Sequence, residues 1–386
     1  MRFEETGSPK IMLVSNCTWN IHNFWMELID HLHLTGYEVL VVAAPDQFTP
    51  FVTQNLNLRF IPLKYLHPTS MNPWYDVLLL GELYQIMKRE NPAAILTFTI
   101  KPNIYGSFLA KRLKVKVIPT ITGLGYTFVN KRWLNNIVRR LYTLAFQALP
   151  QVILQNRSDL SLLKKYKILK ENQGVILAGA GVNTSFYRAA PMPASNRFVF
   201  LFLGRILSDK GIRELAEAAQ NVRHIHPQVE FWIAGIQPEN HPAEIDKVEF
   251  QRWIDQGIFK YWGWSTDVRT LIEQAQVIVL PSYREGLSSA LLEAMSMARP
   301  LIVTNVPGCR ETVQVGYNGW LAKVKDAHDL ERCLLEAIQT RPEVLNQMGK
   351  NSREKAVQEF NIEQVNRAYL DLLAKITFAK VSLIEP

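Results

Sequence analysis

Residues 276–300 have the sequence QVIVLPSYREGLSSALLEAMSMARP, and they constrain the architecture of the chain more than any other stretch. The apolar run up to Leu280 predicts a buried strand, and the run rich in Ala, Leu and Met after Ser289 predicts a helix. Pro281 and Gly286 mark a turn between the two. A strand, a turn and a helix form the repeating unit of open parallel α/β sheets, which bind ligands where the strands end.

Two carboxylates in this stretch, Glu285 in the turn and Glu293 in the helix, lie eight residues apart. A helix N-terminus attracts phosphate, whereas a carboxylate accepts hydrogen bonds from hydroxyl groups. The combination predicts a ligand with both kinds of group, such as a sugar nucleotide. Taken singly, Glu285 could be a surface-loop carboxylate and Glu293 an exposed helix residue, although Leu291 and Leu292 beside Glu293 make full exposure less favourable.

A second segment, GRILSDKG at residues 204–211, follows a predicted strand over residues 198–203 and precedes a predicted helix. Gly204 lets the backbone approach a ligand, and Arg205 and Lys210 can converge on one anion such as a diphosphate. The spacing of a P-loop is missing. Alone, the segment could be a capped helix start with basic side chains in solvent. Since both segments follow strands of one predicted sheet, they can face the same site.

Strand-like and helix-like segments alternate along the whole chain, which is too long for one typical core. The strands predicted before the first domain boundary lie near residues 11–14, 39–43, 60–63, 94–97, 115–118 and 151–154. A loop rich in Gly, Asn and Pro at residues 177–193 separates them from a second series that starts at residue 198. The pattern predicts two Rossmann-like domains, residues 1–185 and 186–360, and a C-terminal helix and tail over residues 361–386 that cross back to the first domain.

The composition is that of a folded soluble protein, with 48% hydrophobic and 20% charged residues. No run of 18 apolar residues occurs that could span a bilayer, and the polar N-terminus does not resemble a signal peptide. The three cysteines (Cys17, Cys309 and Cys333) are scattered, which argues against a disulfide framework or a zinc site. A reducing cytoplasm fits this pattern best.

The net charge of +8 is concentrated in the first half of the chain. Residues 101–170 contain 14 Lys or Arg residues and a single acidic residue, Asp159. This balance predicts a polyanionic partner, either an anionic membrane surface or a nucleic acid. A helix predicted over residues 131–149 has an apolar stripe at positions 134, 137, 138, 141, 144, 145 and 148. The stripe fits a core-facing helix, while the arginines of the same helix could dock on anionic lipid.

Taken together, the motifs of the second half resemble those of the retaining glycosyltransferases of family 4, which have the GT-B fold. The family signature of two Glu separated by seven residues corresponds to Glu285 and Glu293, and an Arg and Lys before a helix correspond to Arg205 and Lys210. Three further phrases match family motifs: GVNTSFY at 181–187, which corresponds to Gly-Val-Asp-x-x-x-Phe, PGCRETV at 307–313 and GYNGW at 316–320.

The first half of the chain resembles a subgroup of these enzymes, those that extend sugars linked to polyprenyl diphosphate. The similar segments are FTIKPNIYGS at residues 98–107 and TITGLGYTF at residues 120–128. One departure is the loop after the first strand, residues 15–25, which contains no glycine where many family members have two. This bulkier, aromatic loop fits a role on the acceptor side better than close contact with a diphosphate.

The resemblance implies a role for each matched residue. Arg205 and Lys210 would neutralise the donor diphosphate, Glu285 would bind hydroxyls of the transferred sugar, and Glu293 would bind the ribose hydroxyls. The remaining donor-binding residues it implies are Gly204, Gly286, Leu287, Ser288, Trp264 and Arg284. The candidate acceptor-binding residues are Lys101, Asn103, Thr122, Gly123 and His22. For Lys101 the alternative is a solvated loop lysine, and for His22 it is a structural histidine.

The implied fold is α/β of the GT-B type, with two Rossmann-like domains facing each other across a cleft. The implied function is transfer of a hexose or N-acetylhexosamine, with retention, from a UDP-sugar to a polyprenyl-diphosphate-linked sugar in bacterial surface polysaccharide or glycan assembly. No Asp-x-Asp motif occurs, so we expect no metal or other cofactor, because Arg205, Lys210 and helix termini can stabilise the leaving diphosphate. We expect a cytoplasmic enzyme, peripheral on the inner face of the cell membrane, with no nucleic-acid partner.

Two alternatives remain at the level of sequence. A nucleotide-sugar epimerase of the same fold would need neither an acceptor nor a membrane, and it would leave the basic first half unexplained. A non-enzymatic nucleic-acid-binding protein would explain the charge but not Glu285 and Glu293. The chain also lacks a helix-turn-helix, zinc or RNA-binding motif that would support the second alternative.

Overall fold

The computed structural model describes residues 8–67, 72–124, 132–194, 197–238 and 241–377. These residues form two compact units. The first contains the residues up to Ala180 together with those from Gln364 onward, and the second is Gly181–Glu363. The division after Ala180 lies inside the loop at residues 177–193, a few residues before the limit of 185 given by the sequence pattern.

The described residues of the first unit form a seven-stranded parallel sheet in the order β3-β2-β1-β4-β5-β6-β7. Its central strands are short runs of Ile, Leu and Val that are buried on both faces, as parallel strands covered by helices require. The strands are β1 Lys10–Ser15, β2 Glu38–Ala43, β3 Leu58–Pro62, β4 Ala94–Phe98, β5 Lys116–Ile121, β6 Val152–Leu154 and β7 Gly174–Ile176.

Helices cover both faces of this sheet. They are α1 Thr18–Phe24, α2 Met26–Leu34, α3 Thr49–Thr53, α4 Pro73–Glu90, α5 Ile100–Leu113, α6 Arg132–Phe146 and α7 Arg157–Lys165. One apolar core is shared by α4 and α5, and another by α5 and α6, so these three helices form one layer. Asn72 caps α4 by accepting a hydrogen bond from the N–H of Trp74 at 3.1 Å.

The last helix, α14 Ile362–Thr377, packs into the first unit, as the sequence predicted. Tyr369 is fully buried, its ring lies edge-on to Trp25 with centroids 5.7 Å apart, and its hydroxyl is 2.9 Å from that of Thr120. Trp25 in turn stacks on Phe98 with ring centroids 3.9 Å apart. The helix α14 therefore completes the core that β1, α1 and α2 begin.

The apolar stripe predicted for α6 is partly wrong. Tyr142, Ala145 and Phe146 are buried in the core, but Ile137 and Leu144 are exposed. The helix is rotated so that its buried stripe passes through Tyr142, since that side chain fills more of the core than Ile137 would.

The described residues of the second unit form a six-stranded parallel sheet in the order β10-β9-β8-β11-β12-β13. The strands are β8 Phe198–Leu203, β9 Val229–Ala234, β10 Lys260–Tyr261, β11 Val277–Leu280, β12 Leu301–Thr304 and β13 Gly319–Ala322. The helices are α8 Ile212–Ile225, α9 Lys247–Asp255, α10 Arg269–Gln274, α11 Ser289–Ser296, α12 Ala327–Gln339 and α13 Pro342–Glu359. Two α/β units with parallel sheets confirm the predicted fold class.

Both sheets reverse their strand order at one point. In the second unit, β8 lies between β9 and β11, so successive strands are added in opposite directions on its two sides. In the first unit the reversal lies between β1 and β4. Helices diverge at such a point and leave a crevice outside the carboxyl ends of the strands, where α/β proteins bind ligands. The segments 204–211 and 281–286 begin directly after β8 and β11, and therefore flank the crevice of the second unit.

Two further expectations from the sequence can be compared with the structure. All three cysteines are free thiols. No helix in the described ranges combines the length and the apolar character needed to cross a bilayer.

Candidate active site

The loops after β8 and β9 each begin with a glycine, Gly204 and Gly235, and the two glycines are in close contact. The N–H of Gly204 donates to the carbonyl of Ala234 at 3.1 Å, and a Cβ on Gly235 would lie only 1.8 Å from the Gly204 carbonyl oxygen. No side chain fits there, so the two loops can run side by side. Arg205 follows, exposed, and forms no ion pair with any residue in the described part of the chain. Its guanidinium is therefore available to an anionic ligand.

The start of α8 packs against the turn after β11. Gly211 has a φ of +72°, and a Cβ there would lie 2.1 Å from the carbonyl oxygen of Pro281. The N–H of Tyr283 donates to the carbonyl of Asp209 at 2.8 Å. These two contacts fix the turn before α8 against the turn after β11, and they bring Lys210 beside Glu285.

Lys210 and Glu285 form the ion pair at the centre of the candidate site. Lys210 Nζ lies 2.5 Å from Glu285 Oε1, and both side chains are largely shielded from solvent. The Ser282 hydroxyl donates to the same oxygen at 2.6 Å, whereas no described residue donates to Oε2. One carboxylate oxygen is therefore held by the protein, and the other can accept a hydrogen bond from a ligand hydroxyl.

The loop that follows the neighbouring strand, β12, contacts the backbone of Glu285. Its N–H donates to the carbonyl of Pro307 at 3.0 Å. Gly308 has a φ of +82°, and a Cβ there would lie 2.5 Å from the Glu285 carbonyl carbon. Only glycine fits this approach, which explains Gly308 in the loop after β12. Glu285 is thus held by the loop after β12 as well as by its own loop.

The N-terminus of α11 lies next to this ion pair in the sequence. Gly286, Leu287 and Ser288 are partly exposed, and Ser288 occupies the N-cap position without a side-chain capping hydrogen bond. No acidic residue lies in the first turn of α11. Uncapped N–H groups at a helix start favour a bound phosphate. Arg284 is partly buried in the same turn.

Glu293 lies within α11 and receives a hydrogen bond from the Tyr187 hydroxyl. Burial raises the pKa of Glu293 to about 7, and the hydrogen bond from Tyr187 opposes part of that rise. The Tyr187 carbonyl accepts from the Ser296 hydroxyl at 2.6 Å and from Arg353 at 2.9 Å. The sequence pattern did not assign a site role to Tyr187, although Tyr187 occupies the Phe position of the motif at residues 181–187.

Two tryptophans extend the site towards the edge of the sheet. Trp262 and Trp264 are both exposed, and Lys260 Nζ lies 4.6 Å from the centre of the Trp262 ring. The N–H of Gly235 donates to the carbonyl of Gly263 at 2.8 Å, which connects this loop to the glycine contact after β8. An exposed ring at this position offers a flat surface on which a nucleotide base can stack.

The proposed acceptor residues in the first unit differ in their surroundings. Lys101 Nζ lies 2.8 Å from Asp76 Oδ1, so its charge is already paired. Asn103 is buried, accepts from the Thr97 hydroxyl at 2.7 Å and donates to the Thr120 carbonyl at 2.8 Å. The amide oxygen and nitrogen of Asn103 thereby link β4 to β5, so both polar atoms of this side chain have a structural role.

The other acceptor candidates lie around the crevice of the first unit. Thr122 and Gly123 are partly exposed directly after β5. His22 packs against Phe48 and Phe51 with ring centroids 5.4 and 5.2 Å apart, and burial lowers its pKa. Its packing in an aromatic cluster favours a structural role for His22 over a role in binding the acceptor.

Thr99, after β4, is a residue that sequence reasoning missed. Its φ of +74° and ψ of 169° are nearly confined to glycine, and its buried hydroxyl has no partner among the described residues. Strain of this kind is concentrated at functional sites.

The second unit brings together groups that suit a ligand with both phosphate and hydroxyl groups. Arg205, Lys210 and the start of α11 can together bind a diphosphate, while Glu285 and Glu293 can accept hydrogen bonds from sugar hydroxyls. Among the described residues, no group of three or more His, Cys, Asp or Glu side chains is arranged to hold a metal ion.

Two parallel α/β units with this site at a strand-order reversal define a class, the GT-B glycosyltransferases. Residues 183–355 match the family described as Glycosyl transferases group 1, and residues 10–156 match the family described as Glycosyl transferase 4-like. Together the two matches cover most of the chain, and the chain belongs to these glycosyltransferases. The alternative of an epimerase is therefore not supported.

Among individual proteins, the chain is similar to two bacterial glycosyltransferases of comparable length. It is 26% identical over 384 residues to the N,N'-diacetylbacillosaminyl-diphospho-undecaprenol alpha-1,3-N-acetylgalactosaminyltransferase of Campylobacter jejuni, covering 95% of this chain and 99% of the relative. It is 25% identical over 354 residues to the UDP-Gal:alpha-D-GlcNAc-diphosphoundecaprenol alpha-1,3-galactosyltransferase of Escherichia coli, covering 86% and 89% of the two chains.

A solved structure agrees with this fold. The sucrose-phosphate synthase of Thermosynechococcus elongatus superimposes with a TM-score of 0.79 at 18% identity, covering 96% of this chain and all of that one.

Proposed function

We propose that the protein transfers a hexose or N-acetylhexosamine from a UDP-sugar to a sugar carried on polyprenyl diphosphate, in the assembly of a bacterial surface glycan. The observation that carries the proposal is the Lys210–Glu285 pair at the strand-order reversal, 2.5 Å apart, with Arg205 exposed at the same edge of the sheet. Lys210 and Arg205 offer positive charge for a diphosphate, and Glu285 beside them offers a carboxylate oxygen for sugar hydroxyls. The relatives support the substrate class, since both are named for acceptors on undecaprenyl diphosphate, and one for a UDP-Gal donor.

In this proposal the residues of the second unit act on the donor. Arg205, Lys210 and the N–H groups at the start of α11 bind the diphosphate and stabilise the negative charge that grows on UDP as it leaves. Glu285 accepts hydrogen bonds from hydroxyls of the transferred sugar through Oε2, and Glu293 accepts from the ribose. These cations supply the positive charge that a metal would otherwise provide, so transfer proceeds without a metal cofactor.

The proposed transfer retains the anomeric configuration. The bond from the anomeric carbon to the phosphate oxygen breaks, and a bond to the acceptor oxygen forms on the same face. The acceptor proton passes to a phosphate oxygen of the departing UDP, and no protein base is required. The reaction takes place in the cytoplasm, with the enzyme peripheral on the inner face of the membrane that holds the acceptor. Nucleic acid has no part in it.

A panel of nucleotide sugars tests this proposal. The purified protein is incubated with UDP- or GDP-sugars and a short-chain, water-soluble polyprenyl-diphosphosugar, and products are identified by mass spectrometry and NMR. We expect one UDP-sugar to yield an extended acceptor with its anomeric configuration retained, with EDTA causing no loss of rate. A GDP-sugar as the preferred donor, an inverted linkage, or no extension with any donor would contradict the proposal.

A further inference from the structure

The first two turns of α4 expose apolar side chains where a surface helix normally exposes polar ones. Trp74, Val77 and Leu78 are 76%, 58% and 45% exposed, and Gly81 faces open space. The opposite side of the helix is also apolar and lies in the core of the first unit through Leu79, Leu83, Ile86 and Met87. A helix on a protein surface normally has one apolar face, the face that packs into the core. The additional apolar face that α4 exposes therefore requires another explanation.

Aromatic side chains extend this exposed face. Glu82 accepts hydrogen bonds from the N–H groups of Lys64 at 3.0 Å and Tyr65 at 3.2 Å, which holds their turn against α4. The rings of His67 and Tyr75 lie 4.5 Å apart, edge to face. We call the exposed set Tyr65, Trp74, Tyr75, Val77 and Leu78 the α4 patch.

The neighbouring helices continue the same face. Because α4 packs on α5 and α5 packs on α6, the three outward surfaces are adjacent. The described part of α6 exposes Ile137 and Leu144, with Arg140 exposed between them, and α5 exposes Lys111 and Arg112 near its end. Apolar and basic side chains are therefore mixed across one three-helix layer.

Acidic side chains on this layer are few, and all are engaged. Neither α5 nor α6 contains an Asp or Glu. On α4, Asp76 is paired with Lys101, and Glu82 is held by the backbone of residues 64–65. Glu90 is buried and forms ion pairs with Lys10, Arg59 and Arg89. The outward face of the layer is therefore both apolar and positively charged.

We infer that the outward face of the α4–α5–α6 layer docks on an anionic lipid bilayer, with Trp74, Val77 and Leu78 entering the interface. Trp and Tyr prefer the boundary between headgroups and acyl chains, and Lys and Arg are attracted to anionic headgroups. A second copy of this chain would place two positively charged faces together, which disfavours self-association through this layer. The inference rests on the proposed function in one respect: the docked bilayer is where a lipid-linked acceptor would reside.

Vesicle flotation of the full-length protein tests the docking surface without any substrate. The vesicles are phosphatidylcholine alone or phosphatidylcholine mixed with phosphatidylglycerol, at low and high salt. The test variant is Trp74→Ser/Val77→Ser/Leu78→Ser. The matched control is Ile225→Ser/Val248→Ser, which removes two apolar side chains that are 57% and 66% exposed in the second unit.

We expect the wild type and the control to float with anionic vesicles, and less at high salt. The triple variant should partition at least roughly tenfold more weakly, because each lost apolar side chain removes part of the interfacial binding energy. Binding of the triple variant equal to that of the control would overturn the inference. So would unchanged vesicle binding combined with a loss of dimers in analytical ultracentrifugation, since that result would assign the patch to a second copy of the chain.

A parallel assay separates this inference from the proposed function. Transfer to a short-chain, water-soluble acceptor should be the same in the triple variant and the control. Transfer to a long-chain acceptor embedded in vesicles should fall only in the triple variant. If no acceptor is extended by any variant while flotation still depends on the patch, the proposed function fails and the docking surface stands. If the water-soluble acceptor is extended and the triple variant floats as the control does, the proposed function stands and the docking surface fails.

Discussion

Glu293 shows how far one residue depends on its surroundings. In the sequence it is a carboxylate between Leu292 and Ala294, with no sign of a partner. In the structure, burial raises its pKa to about 7 while the Tyr187 hydroxyl donates to it. The partner lies 106 positions earlier in the chain, so helical spacing could not reveal it. The motif at residues 181–187 gave the only signal, a Tyr where similar sequences have Phe.

The raised pKa of Glu293 predicts a pH dependence of donor use. The carboxylate is ionised above about pH 7 and protonated below it, and the ionised form is the stronger acceptor for ribose hydroxyls. The kcat/KM for the donor should therefore fall as the pH drops through 7, by roughly fivefold at the limit. Glu293→Gln keeps the shape but does not titrate, so its profile should lack this step. Superimposable profiles for the wild type and Glu293→Gln would refute the assignment.

Tyr187→Phe gives a second test at the residue scale. The substitution keeps the ring and removes the hydroxyl that lowers the pKa of Glu293. The step in donor kcat/KM should therefore move to higher pH than in the wild type, because nothing then opposes the effect of burial. A purely structural role for Tyr187 would lower stability and leave the position of the step unchanged. Comparing pH profiles with urea unfolding curves separates the two roles.

At the scale of elements, the sequence did not predict β7 or β13, but it predicted the other strands and the helix after β11. Their signal is local, since short runs of Ile, Leu and Val between turn residues are what a parallel sheet requires. The buried face of α6 was predicted less well. Periodicity shows that a helix has an apolar side, but the choice between Ile137 and Tyr142 depends on the volume left by α5 and β6. The Lys210–Glu285 pairing was likewise beyond the sequence, because it depends on Gly211 and Gly308 fitting against neighbouring loops.

Arg299 connects several elements of the second unit without contacting the candidate site. It is fully buried, and its guanidinium donates to six carbonyls, those of Ile272, Glu273, Ala190, Pro191, Met297 and Ala298. Burial lowers its pKa to about 10, so it remains charged at neutral pH. These bonds join α10 to the end of α11 and to the segment that leads into β8.

Arg299→Leu should therefore destabilise the protein strongly. Six carbonyls would lose this donor in a buried setting, at a cost of about 3 kcal/mol or more in the free energy of unfolding. Arg252→Leu, an exposed arginine of α9, should change that free energy by less than about 0.5 kcal/mol. Urea denaturation measures both variants. Equal midpoints would show that the buried guanidinium does not stabilise the unit.

At the scale of the whole molecule, the first and the last described residues belong to the same unit. The sequence predicted this return for the C-terminal helix and tail over residues 361–386. It could not predict the contact itself, which depends on Tyr369 fitting beside Trp25 and reaching Thr120.

Substitutions of Tyr369 test whether the first unit depends on this contact for its stability. Tyr369→Ala leaves a large cavity and should lower stability by about 3–5 kcal/mol, whereas Tyr369→Phe loses only the hydrogen bond to Thr120, at about 1 kcal/mol. Hydrogen exchange should rise in β4 and β5 of the first unit and remain unchanged in β11 and β12. Faster exchange confined to the second unit would contradict the assignment of α14 to the first.

The central claim is that the second unit holds the donor diphosphate between Arg205, Lys210 and the start of α11. The most direct test is the kcat/KM of sugar transfer for Arg205→Ala and Lys210→Ala against Arg213→Ala. Arg213 lies at the start of α8 and is paired with Glu249 at 2.8 Å, so its variant controls for the loss of a nearby charge. The account predicts that each of the first two variants loses at least roughly a hundredfold, since each removes charge stabilisation from the leaving UDP, while Arg213→Ala stays within about twofold of the wild type. Transfer at the wild-type rate by Arg205→Ala or Lys210→Ala would contradict it.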